Sequence, residues 1–327
     1  MTDLQEIFLL GPTAAGKDCI ASLLAEALDR SGSRVELLAM DSMKVYRGLD
    51  LISDAPTPLD REVARWHMTG VVECQASYSV ARYVEESRAV ATEIRARGAM
   101  PIWVGGTTLY YRALVDGLVP SPPADPELRD RLTAQHESDP EGLHRRLAEV
   151  DPRTAARVHP NDCRRIVRAL EHLHLTGRPL GEEAISWSSG DAGPAGARRV
   201  LGIMPPWAEV RERIESRAAI ILAGGVDGPA VAEVAAIQRA GGFSRQAAAA
   251  LGVAEALALL AGDLDLASAC AELTRRTRRL AKAQRTWFRS LQGVEWVLLD
   301  PAMSAEAAAD RLLQRIRSPA QPAPATF

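Results

Sequence analysis

A chain of 327 residues accommodates one large domain with an insertion, or two domains. Its 47% hydrophobic content makes a sizeable core available, while the net charge of −3, taken as a sum, argues against a nucleic-acid partner. No apolar run approaches the roughly 20 residues needed to span a bilayer, and Met1-Thr2-Asp3-Leu4-Gln5-Glu6 lacks the basic residues that open a signal peptide.

In chain order, the first predicted element is a strand over Ile7–Leu10, followed by a glycine-rich turn and a helix over Lys17–Ser31. Val35–Met40 reads as the next strand and ends at Asp41-Ser42. A helix over Tyr78–Arg97 leads into the strand Pro101–Val104, which ends at Gly105-Gly106-Thr107. Apolar strands alternating with helical patterns predict an α/β fold: a P-loop NTPase-like parallel sheet covered by helices on both faces. Ligands in such sheets collect at the C-terminal strand ends, so these three segments are expected to converge on one crevice.

The Pro-rich stretch Val119–Pro126 marks a boundary. It separates the first part of the core, 1–118, from a small helical insertion subdomain over 119–160, whose Glu127–Val158 segment reads as short polar helices. Asn161–Thr176 reads as a longer helix, Ser186–Arg198 as a loop and Val200–Met204 as a last strand. The segment 161–317 completes the core and carries a helical C-terminal part, and 318–327 is expected to be a disordered tail. Cys19, Cys74, Cys163 and Cys270 are far apart without CxxC spacing. They read as reduced thiols of a cytoplasmic protein, with no zinc site expected.

The richest chemistry lies in Gly11-Pro12-Thr13-Ala14-Ala15-Gly16-Lys17-Asp18. Directly after a strand, this spacing is a phosphate-binding loop. Its backbone N–H groups face inward, the following helix aims its positive end at the same anion, and Lys17 adds a full charge. The motif normally closes on Ser or Thr, whose hydroxyl ligates Mg²⁺; here Asp18 stands in that place. A P-loop hydrolase or motor also needs an acidic residue closing a later strand, whereas Pro101–Val104 ends in Gly-Gly-Thr. The strand-end carboxylate is instead Asp41, placed to act as a general base or an indirect Mg²⁺ anchor, or only to cap a turn. Thr107 reads as a strand-end hydroxyl that satisfies backbone.

Charge distribution qualifies the net sum. Between Arg275 and Arg289 there are seven basic residues and no acidic one, and Arg278, Lys282, Arg285 and Arg289 are spaced to share one helical face. Arg164, Arg165 and Arg168 form a second cluster. Basic stripes on a mildly acidic chain suggest a polyanion surface; the alternative is a solvated, salt-bridged helix face.

Together the motifs resemble the tRNA dimethylallyltransferase family, also called tRNA isopentenyltransferases. The resemblance runs from Gly11 to Arg289. It rests on Gly11–Lys17, on Asp41-Ser42-Met43-Lys44-Val45-Tyr46-Arg47-Gly48-Leu49-Asp50 and on Gly105-Gly106-Thr107-Thr108-Leu109-Tyr110. His159–Arg165 running on to Arg168–Glu171, and Thr277–Arg289, complete it.

The resemblance implies transfer of a dimethylallyl group from dimethylallyl diphosphate to N6 of the adenine just 3′ of the anticodon of a tRNA, with Mg²⁺ as cofactor. It implies that the phosphate loop, Gly11 to Asp18, holds the diphosphate together with Arg213, and that Asp18 takes the metal position. Asp41 would accept the adenine proton, with Lys17 and Thr107 also catalytic. Asp41, Ser42, Met43, Lys44, Arg129, Arg164, Arg165, Ile166, Val167 and Arg168 would contact tRNA, joined by Arg278, Lys282 and Arg285 of the basic stripe. A monomer without membrane attachment is the expected state. Four departures stand out: Asp18 replaces the family's Thr, Ile52-Ser53-Asp54-Ala55-Pro56 replaces Gly-Thr-Ala-Lys-Pro, only one histidine remains at Trp66-His67-Met68, and the later Gly-Tyr before a Glu reads Gly252-Val253-Ala254-Glu255. Two other readings remain open on the residues: a non-catalytic tRNA-binding relative, and a P-loop small-molecule kinase.

Overall fold

The structure is a computed structural model that describes residue 4, residues 6–118, residue 122 and residues 124–183, 198–301 and 303–319. Residues 186–197 of the expected loop and nearly all of the tail expected over 318–327 lie outside the described residues. So does part of the Pro-rich boundary. Arg198, expected to end the loop, is already in a strand.

Six strands form one sheet: β1 (Glu6–Leu10), β2 (Val35–Met40), β3 (Trp66–His67), β4 (Met100–Gly105), β5 (Arg198–Met204) and β6 (Glu295–Leu298). Their order is β3-β2-β4-β1-β5-β6, and every pairing is parallel. β1 and β2 are buried along their whole length because helices cover both faces, so apart from Glu6 and Glu36, which are buried in ion pairs with Arg95 and Arg198 and with Arg97, their residues are apolar without alternation. Phe8 stacks on Trp103 of β4 at 4.9 Å between ring centroids, locking the two central strands.

The predicted elements of the first half are found within one or two residues: helices span Lys17–Arg30 and Val80–Ala96. The helix over Val80–Ala96 starts where the Ser79 side chain accepts from the Arg82 N–H. Two strands differ from expectation. β3 is too short for a periodic signal, and β6, not Val200–Met204, closes the sheet. β6 holds its edge through a buried ion pair: Arg199 on β5 donates to Glu295 on β6 at 2.6 Å, and to the carbonyl oxygens of Ile316 and Ser318 at 3.0 and 2.7 Å.

By internal contacts, the described residues within 1–111 and 193–327 form one compact unit, and those within 112–192 a second. The second unit packs the helices Pro126–Ser138, Pro140–Val150, Pro152–Ala155 and Cys163–Thr176 around Leu132, Leu147, Ile166 and Leu170. Each of the first three helices begins with an Asp N-cap followed by Pro, the pattern that fixes a helix start. No described helix is long and apolar enough to cross a membrane.

Candidate active site

The phosphate loop leaves β1 at Gly11, where a Cβ would approach the Ile203 carbonyl oxygen to 2.9 Å. Gly16 sits at φ 76° as the N-cap of the helix Lys17–Arg30, a left-handed conformation that favours glycine. The Lys17 Nζ donates to the Pro12 carbonyl at 2.8 Å. Burial pushes the Lys17 ammonium below its usual pKa and the neighbouring Lys44 pushes the same way, against the opposing carboxylates of Asp18, Asp41 and Asp54. Arg213, on the helix Trp207–Ile221, brings Nη1 to 3.6 Å from where a Gly16 Cβ would lie, and its Nη2 donates to Glu209 at 2.9 Å.

The ends of β2 and β4 meet beside this loop. Thr107 Oγ1 accepts from the Ser42 N–H at 3.1 Å, so its hydroxyl satisfies backbone while tying the two strand ends together. Asp41 Oδ1 accepts from the Met43 N–H at 2.8 Å. One carboxylate oxygen therefore caps the turn, while Oδ2 has no hydrogen-bond partner among the described residues. Lys44 is only 5% exposed, and its ammonium forms an ion pair with Asp18. Burial works against its charge, but the Asp18 and Asp41 carboxylates outweigh that and hold its pKa above the ordinary lysine value. Asp54 is ion-paired with Arg217.

Sequence reasoning passed over Gln284. Its Oε1 accepts from the Thr13 N–H at 2.8 Å and its Nε2 donates to the Gly106 carbonyl at 2.8 Å, so one side chain fastens the phosphate loop to the turn after β4. It lies on the helix Leu266–Arg289 among the basic residues. Being uncharged, it gave no signal in a charge count. Two arginines near it have partners within the chain: Arg278 forms a surface ion pair with Glu215, and Arg285 donates to the Pro205 carbonyl at 2.8 Å with its guanidinium over Trp207. Lys282 is exposed.

In the second unit, Arg164 and Arg165 are exposed. Arg129 and Arg168 both grip Glu171, a fully buried carboxylate, with Arg129 at 2.8 and 2.9 Å and Arg168 at 2.5 Å. Burial raises the Glu171 pKa, but hydrogen bonds from Arg129 and Arg168 outweigh it and hold the carboxyl below its usual range. Ile166 and Val167, expected among the tRNA contacts, have their side chains in the core of this unit, so those side chains offer nothing to a tRNA. The cause is periodicity: on a helix flanked by Arg164, Arg165 and Arg168, the intervening apolar pair faces inward. Lys44 likewise directs its ammonium to Asp18 rather than to solvent.

A family model described as IPP transferase matches residues 44–291. The tRNA dimethylallyltransferase of Anaeromyxobacter dehalogenans (strain 2CP-C) is 38% identical over 317 residues, covering 95% of this chain and 100% of that protein. The tRNA dimethylallyltransferase of Geobacter sulfurreducens is 40% identical over 295 residues, 89% of this chain and 91% of that protein. Among solved structures, the full-length tRNA isopentenylpyrophosphate transferase from Bacillus halodurans superposes with a TM-score of 0.65 at 29% identity, covering 96% of this chain and 97% of that one. The model spans most of the sequence and relatives near 40% identity run along nearly all of it: the chain belongs to the IPP transferase family.

Proposed function

We propose that this chain transfers a dimethylallyl group from dimethylallyl diphosphate to N6 of the adenine 3′-adjacent to the anticodon of a tRNA, releasing diphosphate. The observation that carries the reading is the meeting of a phosphate loop with a strand-end aspartate. Asp41 and the loop are linked through Ser42, Thr107, Gly106 and Gln284 by three hydrogen bonds of 2.8–3.1 Å. Such an arrangement can hold an allylic diphosphate by its leaving group while a carboxylate waits beside the reacting carbon.

Loop N–H groups, Lys17 and Arg213 bind the diphosphate and neutralise the charge that grows on it as the allylic carbon–oxygen bond breaks. Asp41 accepts the proton from adenine N6 as the new carbon–nitrogen bond forms. Thr107 fixes the Ser42 backbone and thereby the position of Asp41. The adenine must leave its stack to reach this carboxylate, at a cost of about a few kcal/mol that a single-stranded loop lowers.

With Asp18 Oδ2 paired to Lys44 and Asp41 Oδ1 capping its turn, the other oxygen of each carboxylate is the hard donor that fits Mg²⁺ alongside substrate phosphates. Asp18 is the residue that would hold it. Bound there, the ion would supply charge neutralisation at the leaving group. Arg129, Arg164, Arg165 and Arg168 of the second unit offer cations to the tRNA backbone, as Lys282 does in the first, and such phosphate contacts position the RNA without reading its sequence.

The test is incubation of the purified protein with tRNA, Mg²⁺ and dimethylallyl diphosphate, followed by nucleoside mass analysis. N6-dimethylallyl-adenosine is expected. Bound tRNA with no modified nucleoside would favour a non-catalytic RNA-binding relative, and ATP turnover with a small acceptor would favour a kinase.

A further inference from the structure

We infer that Lys44 is a second ammonium of the diphosphate site, whose charge offsets that of Asp18; this rests on the reading of the phosphate loop given above. Asp18 occupies the loop position where a neutral hydroxyl is usual. A carboxylate there adds a negative charge beside the bound anion and by itself repels it. Lys44 cancels that charge. Its ammonium is ion-paired with Asp18, its side chain is 6% exposed, and Lys17 and Asp41 act on it electrostatically from the same crevice.

The lysine is placed by its backbone as well. The Gly70 N–H donates to the Lys44 carbonyl at 2.8 Å, and the N–H groups of Val71 and Val72 donate to Val45 at 2.8 and 3.0 Å. The turn after β2 is thereby clamped to the segment following β3, and Lys44 projects towards the first turn of the helix Lys17–Arg30. Counting formal charges, Lys17 and Lys44 balance Asp18 and Asp41, while Asp54 is answered by Arg217. Asp18 without Lys44 would leave the loop with an uncompensated negative charge. Asp18 and Lys44 therefore act as one charge-neutral pair beside the anion.

The experiment is calorimetric titration with inorganic diphosphate in EDTA, which keeps any metal role of Asp18 out of the reading. Wild type, Lys17→Ala, Lys44→Gln, Asp18→Asn and the double variant Asp18→Asn with Lys44→Gln are compared, and thermal unfolding checks that each is folded. Lys44→Gln is expected to weaken binding more than tenfold. Asp18→Asn should bind at least as tightly as wild type, and the double variant should return to within about threefold of wild type because it removes a charge pair of zero sum. Its recovery also shows that any loss in Lys44→Gln is electrostatic rather than a failure to fold. Wild-type affinity in Lys44→Gln, with Lys17→Ala still impaired, would overturn the role of Lys44 alone. No effect of Lys17→Ala would instead remove the phosphate-loop reading itself. Absence of wild-type binding without metal would also overturn the inference, since two ammoniums and Arg213 would then not suffice.

Discussion

At the scale of single residues, Asp41 and Thr107 illustrate how one side chain carries two duties. The Asp41 carboxylate caps its own turn with one oxygen, which fixes the direction in which the other points. Asp41→Ala is expected to lower the rate of prenyl transfer by about 10²–10⁴-fold, the range for a general base, while tRNA binding measured by filter retention changes little. Thr107→Val keeps the shape but removes the acceptor for the Ser42 N–H. A buried donor left without its partner costs about 1–3 kcal/mol. The expected outcome is a fall in kcat with a smaller change in KM for the diphosphate donor, read from steady-state kinetics. Gln284→Ala severs the link between the phosphate loop and Gly106 at both ends. It should raise KM for the donor, whereas Gln284→Glu, which keeps an acceptor for Thr13 but loses the donor to Gly106, should fall between.

At the scale of elements, the helix Cys163–Thr176 shows why basic clusters need a structural partner. Glu171 lies one turn after Arg168 on the same helix, and Arg129 reaches it from the helix Pro126–Ser138. Both guanidiniums are thus held in fixed positions by a fully buried acid. Removing one member of a buried ion cluster typically costs about 3–5 kcal/mol, so Glu171→Gln should lower the unfolding free energy of this unit and weaken tRNA binding through disordered arginines. The pH dependence has a definite sign. The folded-state pKa of Glu171 lies below its ordinary value, so its contribution is fully present above the unfolded pKa of about 4.3. It is lost only as pH falls through the lower folded value, and acid unfolding followed by circular dichroism should shift to higher pH in Glu171→Gln. The basic helix Leu266–Arg289 behaves differently. Arg285 is engaged with Pro205 and Arg278 with Glu215 in a surface pair, whereas Lys282 is exposed, as are Arg275, Arg279 and Arg289. Lys282→Ala should reduce the salt dependence of tRNA binding by about one unit of slope with little effect on melting temperature.

At the scale of the whole molecule, the sheet is completed by a strand from the far end of the chain, and that closure depends on charge as much as on apolar burial. Arg199 and Glu295 are both almost fully buried, and Arg199 also holds the carbonyls at the end of the helix Ala305–Arg317. Glu295→Gln leaves the guanidinium without its counter-charge and is expected to cost about 3–5 kcal/mol in urea denaturation, whereas replacing both partners by apolar residues should cost much less. The fold as a whole was largely legible in advance. β1, β2 and β4 are predominantly apolar and the helices alternate with them, so local physics and topology agree. The loop Gly11–Asp18 and the ends of β2 and β4 were expected to converge, because parallel strands deliver their C-terminal ends to one edge. β3 and β6 escaped notice because each is short and depends on pairing with a distant strand.

The sequence by itself determined the parallel α/β core, the phosphate loop and the strand-end aspartate, since glycine spacing, strand–helix alternation and a lysine are local properties that a linear reading captures. Only the tertiary structure decided what each charge faces. It pairs Asp18 with Lys44 and Arg278 with Glu215, directs Arg285 to the Pro205 carbonyl, buries Ile166 and Val167 between exposed arginines, and places Gln284 between two loops more than 170 residues away along the chain. The reason is physical: electrostatic and hydrogen-bond partners are chosen by distance in space, and nothing in the local pattern of a helix or turn encodes which distant carboxylate or carbonyl will lie within 3 Å.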